Sequence, residues 1–434
     1  MRKRIILLTT AILLLVVVAE LFFSGRLRLS LADRLHFERE ETELVVTNAA
    51  GASVRLFRAG PSLNEAAEIP AFDGQRQWLA RGGYFVQAVA QGSTVYYPVT
   101  IIGYRAGPDA DGVLRVTIRQ MPTDAPPRLN ADHPAMAYIP SGSFLIGDRL
   151  NPREPHYVWL PAFFISTFEV TNAEYGEFMR DPQGYADPAN WTPSGQQWKA
   201  ANESKATARL SPASPEYQRF GQSDQPVTWV TWFEAQAYAR WLTRRLGAGR
   251  WLFALPSEAE WEKVARGPDD FEYQLSRTIS DRETTLYNWK KNPLAPVTVI
   301  GLRESAGRYL PNRYGLYHLT GNVAEWTASV NRPFSRERPY VDSERNNAEP
   351  LEARIVRGGS WYSASIAVLS NSYREAFQPA VSHHDLGFRI VAHPLPIRPD
   401  EKNESGHTVS AAAFSARQRF VRPASGRLSQ LCCQ

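Results

Sequence analysis

The sequence predicts an α+β chain: a small all-β sandwich, then a larger domain of short strands, few helices and long loops, both carried behind one N-terminal apolar helix. Three observations predict it. From Glu43 to Arg119, strand-length runs of β-branched and aromatic residues alternate with turn residues. Beyond residue 135, helical spacing surfaces in three short stretches only. The chain also holds 12 Trp, 28 Gly and 31 Pro, a composition suited to irregular backbone pinned by large aromatics rather than to a helical bundle. Finally, residues 5–23 are almost wholly apolar.

At 434 residues the chain can bury a substantial core and hold two or three domains. Its formal charge is +5, but Lys and Arg are scattered among acids with no basic stripe interleaved with aromatics, which excludes nucleic acid as a partner. Arg2-Lys3-Arg4 precedes the run Ile5–Phe23, interrupted only by Thr9, Thr10 and Glu20. At ~1.5 Å per residue, that helix just spans a hydrocarbon core of ~30 Å. Residues 1–25 are therefore expected to be a cytoplasmic tip and single-pass signal anchor in the inner membrane. The leading basic cluster puts the bulk of the chain on the periplasmic or extracytoplasmic side. No small-x-small site succeeds it, which favours an uncleaved anchor over a removed signal peptide.

Residues 40–120 read as an antiparallel sandwich serving as spacer or interaction module. Its strands are Leu44–Thr47, Ser53–Phe57, Tyr84–Val89, Tyr96–Ile102 and Leu114–Ile118, with turns at Gly51, Gly82-Gly83, Gly92 and Asp111-Gly112. Pro122, Pro126, Pro127 and Pro134 mark residues 121–134 as a linker. Residues 396–434 are polar and read as a disordered tail. Cys432 and Cys433, the only cysteines, lie at its end and can staple no domain.

Between residues 135 and 395, Thr171-Asn172 can cap a helix over Ala173–Met179 that turns Tyr175 and Phe178 to one face. His156 is a lone strand histidine and reads as structural. After Pro226-Val227-Thr228-Trp229-Val230-Thr231-Trp232-Phe233-Glu234-Ala235, the residues Ala235, Tyr238, Ala239, Trp241 and Leu242 repeat at helical spacing. Leu255-Pro256-Ser257-Glu258-Ala259-Glu260-Trp261-Glu262 carries a capping box, Ser257 with Glu260, so its acids read as helix-start residues rather than as a catalytic pair. In Arg357-Gly358-Gly359-Ser360-Trp361-Tyr362-Ser363, two glycines permit a sharp turn or a close approach. The aromatics and hydroxyls beyond them suit either a packed turn or the floor of a ligand groove.

These blocks, with Asn312-Arg313-Tyr314-Gly315-Leu316-Tyr317-His318-Leu319-Thr320-Gly321-Asn322-Val323-Ala324-Glu325-Trp326 and the closing strand Asp385–Val391, resemble in order the formylglycine-generating enzyme, or sulfatase-modifying factor, family. The resemblance covers about Ala135 to His393. It implies a C-type-lectin-like α+β fold with calcium at the Gly321-Asn322-Val323-x-Glu325 turn. The family's other calcium loop looks degraded: Asn288 matches its first ligand, but no acid precedes Gly301. The oxidising members hold copper on two cysteines, the first at the position of Ser363 and the second near Ile366 to Val368. Both are missing here. A hydroxyl is a poor ligand for cuprous ion, so copper chemistry is not expected. Relatives with non-haem iron place it on an additional helical domain with His-x-x-x-His-x-Glu spacing, which this chain lacks, although iron bound in another way stays open.

His383-His384-Asp385 is the densest set of nitrogen and oxygen ligands in the sequence, and in a strand its side chains would diverge. It reads as loop polarity or as a metal site. Three functions compete. One is a binding or scaffold module whose groove of Arg357, Trp361, Tyr362, Ser363, Arg374 and Asp385 takes a peptide, glycan or protein. Another is an envelope oxidoreductase or protein-modifying enzyme using a different metal, such as non-haem iron. The third is a hydrolase built on Ser363 with His383 or His384 as base.

Overall fold

The computed structural model describes residues 39–148 except 49, then 155–208, 220–279, 286–290, 309–336, 338, 340 and 351–395. The apolar run at 5–23, the tail with Cys432 and Cys433, and Gly301 lie outside the described residues. Among those described, no helix is long and apolar enough to cross a membrane.

Seven strands open the described chain: β1 (Thr42–Asn48), β2 (Ser53–Arg58), β3 (Ala67–Glu68), β4 (Arg76–Leu79), β5 (Gly82–Ala90), β6 (Ser93–Ile101) and β7 (Leu114–Ile118). They form two sheets, ordered β4-β1-β7 and β3-β2-β5-β6. Alternation does the sorting: Leu114, Val116 and Ile118 of β7 point inward with Leu44 and Val46 of β1, and meet Leu56, Val86, Tyr97 and Val99 of the second sheet. Two expectations need correction. Strands β1 and β7 pair in parallel, Leu44 opposite Leu114, so the first sheet is mixed rather than antiparallel. Nor do these strands make a separate domain, because the chain up to Leu395 forms one compact unit. The Arg313 guanidinium lies 4.5 Å from the Phe85 ring and donates to the Leu63 carbonyl, and Tyr157 donates its hydroxyl to Thr100.

The proline-rich stretch is docked rather than free. Leu129 is buried in the main core, Asp124 pairs with Arg250, and buried His133 sits 2.6 Å from Glu174. Proline sets the backbone direction here without making the segment a linker.

The next four strands are β8 (Ala137–Ile139), β9 (Gly142–Ile146), β10 (His156–Leu160) and β11 (Phe163–Ile165). Then come helices α1 (Asn172–Arg180), α2 (Pro193–Ala208) and α3 (Trp232–Leu246), strand β12 (Trp251–Ala254) and helix α4 (Glu258–Arg266). Strands β13 (Ala324–Val330), β14 (Arg354–Arg357), β15 (Glu375–Phe377), β16 (Leu386–Phe388) and β17 (Val391–Pro394) complete the fold, which is mixed α+β. Helices α1, α3 and α4 start at capping boxes: Thr171 with Glu174, Thr231 with Glu234, and Ser257 with Glu260. The polar sequence of α2 has no apolar period, so sequence reasoning missed it.

The expected single closing strand divides at Arg389-Ile390. Strand β16 joins the sheet β15-β14-β13-β16, whereas β17 lies inside β12-β17-β11-β8. One extended segment therefore ties two sheets together. Between them, α1 and α3 bury Tyr175, Phe178, Tyr238, Trp241 and Leu242 against Phe388 and Trp326.

Because Leu129 fills part of this core, Leu129→Ala is expected to cost about 2–5 kcal/mol. A thermal melt checks it. An unchanged melting temperature would mean that residues 121–134 run free.

Candidate functional site

At the end of β14, Gly358 and Gly359 adopt φ of 93° and 62°, which only glycine tolerates well. A Cβ on Gly358 would meet the Trp261 ring at 3.1 Å, and one on Gly359 would meet the Leu369 side chain at 2.8 Å and the Val368 carbonyl at 2.9 Å. The turn is thus packed from behind. Beyond it, Trp361 is 1% exposed and packs with Phe220 and Val323, whereas Tyr362 is 47% exposed.

Two of the expected groove residues belong to the framework instead. Arg357 is buried, pairs with Glu262, and donates to the carbonyls of Asn371, Ser372 and Tyr373. Arg374 forks onto both oxygens of Glu258 at 2.5 and 2.9 Å and covers the Phe334 ring. Of the acids on α4, Glu260 caps the helix, but Glu258 and Glu262 are partners for these arginines and for Arg266. They are therefore not helix-start residues alone. His156 is structural as expected, its Nε2 accepting the Tyr340 N–H.

The residues that do converge are Ser360, Trp361, Tyr362, Ser363, His383, His384 and Asp385. The Ser363 hydroxyl oxygen accepts the Ser360 N–H at 2.9 Å. Ser360 in turn donates its hydroxyl to Asp385 Oδ2, while His383 Nδ1 meets Asp385 Oδ1. The expectation that the two histidines diverge is wrong: residues 383–386 make a turn closed by the Leu386 N–H on the His383 carbonyl, and the two imidazole centroids lie 4.1 Å apart. His384 packs edge-on against Trp361 and Tyr362 at 5.0 and 4.9 Å. Sequence reasoning missed three neighbours: Phe220, Lys290, whose ammonium lies 4.5 Å from the Tyr362 centroid, and Trp229. Trp229 has φ of 59°, a strained value for a bulky residue, and is held there by donating its N–H to the His383 carbonyl at 2.9 Å.

This order of contacts argues against a serine nucleophile. Such a nucleophile needs an imidazole at its hydroxyl and an acid behind the imidazole. Here the acid lies between Ser360 and His383, and the Ser363 hydroxyl is engaged by a backbone amide.

Beneath the mouth lies a buried polar centre. Asn322 donates to Glu169 at 2.8 Å and accepts from Asn288 at 3.1 Å, and His318 is 3.3 Å from Glu169. Burial pushes the Glu169 carboxyl up, but His318, Arg389 and Asn322 outweigh it and leave it below its usual range. Arg389 forks onto both oxygens of Glu325 at 2.7 Å, and Trp261 adds its indole N–H at 2.7 Å. Burial nonetheless pushes the Glu325 carboxyl up against the pull of Arg389.

The expected calcium turn does not fit calcium, which takes six to eight oxygen ligands. The Asn322 carbonyl accepts the Trp361 N–H, Val323 is packed in the core, and Gly321 is pressed against Asn288. A guanidinium occupies the face of Glu325 where the cation would sit. Copper fares no better: Ser363 is hydrogen-bonded, and Ile366 to Val368 form an aliphatic 3-10 turn.

Residues 122–394 match the family described as the sulfatase-modifying factor enzyme 1-like domain. Hercynine oxygenase from Mycolicibacterium smegmatis is 33% identical over 58% of this chain and 60% of its own length, so the match leaves over a third of that protein uncovered. An inactive C-alpha-formylglycine-generating enzyme 2 from Mus musculus is 30% identical over 61% of this chain and 89% of its own length. A formylglycine-generating enzyme from Thermomonospora curvata is 28% identical over 60% of this chain and 94% of its own length.

Removing Glu325 strands a buried guanidinium, so Glu325→Ala is expected to lose about 3–5 kcal/mol. Denaturant melts in calcium and in chelator should show the same loss. A loss that appears only in calcium would restore the metal to this turn.

Proposed function

Because the chain belongs to the sulfatase-modifying factor enzyme 1-like family, we propose that it is a membrane-anchored envelope member that binds a ligand at the Tyr362 and His384 mouth without copper-dependent formylglycine synthesis. One observation carries this reading. The hydroxyl of Ser363 stands where the copper enzymes are expected to place a thiolate, and it is already spent on the Ser360 amide, with aliphatic side chains where the second thiolate belongs. Copper(I) needs soft donors, and none is present there. The similarity to an inactive family member supports the same reading. The mouth offers the exposed Tyr362 ring, half-exposed His383 and the Lys290 ammonium, a mixture suited to a peptide or glycan. The C-type-lectin-like fold and the extracytoplasmic location belong to this proposal, the latter on the strength of Arg2-Lys3-Arg4 before the apolar run.

An oxidoreductase using another metal is the alternative. The similarity to an oxygenase favours it, and so does the convergence of His383, His384 and Asp385.

Incubated with copper, oxygen and a sulfatase-type cysteine peptide, the protein is expected to leave the cysteine unchanged by mass spectrometry; an aldehyde product would defeat the reading. The double variant Ser363→Cys with Val368→Cys is expected to gain copper that neither single variant holds. For location, a C-terminal fusion to a reporter active only outside the cytoplasm should be active, and an inactive fusion alongside an active cytoplasmic one would reverse the topology.

A further inference from the structure

We infer that His383, His384 and Asp385 form a binding site for a divalent first-row transition-metal ion at the mouth of the groove. The inference goes beyond the ligand-binding reading and rests on different residues from the argument against copper. One ligand atom from each of the three side chains lies within 4.8 Å of the others. Consecutive residues rarely achieve this; the tight turn at His384-Asp385 does, by folding His383 back over the next two residues.

The frame behind the turn is rigid. The His383 carbonyl accepts the Trp229 and Leu386 N–H groups, and the Asp385 carbonyl accepts the Ala324 N–H at 2.8 Å. Ser360 holds Asp385 Oδ2 and leaves Oδ1 on the imidazole side, an outer contact that orients a carboxylate ligand. Trp361 and Tyr362 fix the plane of His384. His383 is half-exposed and therefore able to turn. The donor atoms of a closed set stand roughly 3 Å apart at metal–nitrogen distances near 2.1 Å. Rotation of His383 closes the difference.

Two imidazoles and one carboxylate are borderline donors, which suit iron(II), cobalt, nickel or zinc better than calcium or magnesium. Negative charge gathers around them. Burial, and after it the charge of Asp385, push the half-buried Glu375 carboxyl up. Three protein ligands leave coordination positions open on the side of exposed Tyr362. The buried indole N–H of Trp229, which has no hydrogen-bond partner among the described residues, supplies a donor in the same wall for whatever the ion carries.

The test uses the full chain, purified in detergent, stripped with chelator and titrated with Co2+ while visible absorption and bound metal are monitored. One Co2+ per chain is expected. His383→Ala, His384→Ala and Asp385→Asn should each weaken binding at least about tenfold, and Ser360→Ala by about tenfold through the loosened carboxylate. His383→Ala decides the matter even if the other variants misfold, because half of that side chain is in solvent and the near-ultraviolet circular dichroism of the variant can be compared with the parent. Absence of stoichiometric Co2+ on the unmodified chain overturns the inference. So does Co2+ binding that His383→Ala leaves unchanged, which would put the ion elsewhere.

Discussion

Arg389 carries a charge into the middle of the fold, and Glu325 meets it there with both oxygens. The guanidinium also donates to the carbonyls of Ser166 and Tyr317, so its hydrogen-bonding capacity is directed at four separate chain segments counting Trp261 behind Glu325. Its position gives the pair its reach. Glu325 belongs to β13, and Arg389 sits where the chain leaves one sheet for the other. Either charge alone in this interior would be costly, and a one-residue slip of β13 would turn Glu325 to the opposite face. The pair accordingly fixes register as much as it contributes stability.

A second set of buried pairs extends the same logic to the turn that carries the mouth. Glu262 receives Arg266, Arg357 and the Gly147 N–H, and Glu258 receives Arg374 with Arg357 nearby at 3.6 Å. Helix α4 thus acts as a rail of acids onto which the arginines around the glycine pair are clipped. The residues that face solvent are the ones left over after this clipping: Tyr362, His383 and the edge of Asp385. The strain at Trp229 persists because the His383 carbonyl and the packed aromatics over-determine it.

Loss of two thiolates has not left a void. Ser363 and Ser360 close a small hydrogen-bonded ring with Asp385, and that ring points its acid at an imidazole rather than pointing an imidazole at a hydroxyl. Such an arrangement holds and orients better than it attacks. It also explains why the mouth can keep its shape without copper, since the Ser360 amide that closes on Ser363 belongs to the same turn as the glycines packed on Trp261 and Leu369.

Local features were legible from the sequence. The helix phases of α1, α3 and α4, the Ser257 capping box, the alternation of β7 and the φ demand of Gly358-Gly359 are set by neighbours within a few residues, and pattern reports them directly. The ordered blocks were enough to recognise the family. What the sequence withheld was pairing. Arg357, Arg374 and Glu325 look like groove or metal residues because charged side chains ordinarily seek solvent or ligands, and their true partners lie 95, 116 and 64 residues away. The histidine pair was misjudged for a related reason: alternation holds only in a strand, and the Leu386 N–H made that segment a turn. A sequence states that a charge needs a partner; only the packed chain, in which burial makes an unpaired charge intolerable, decides which partner it has.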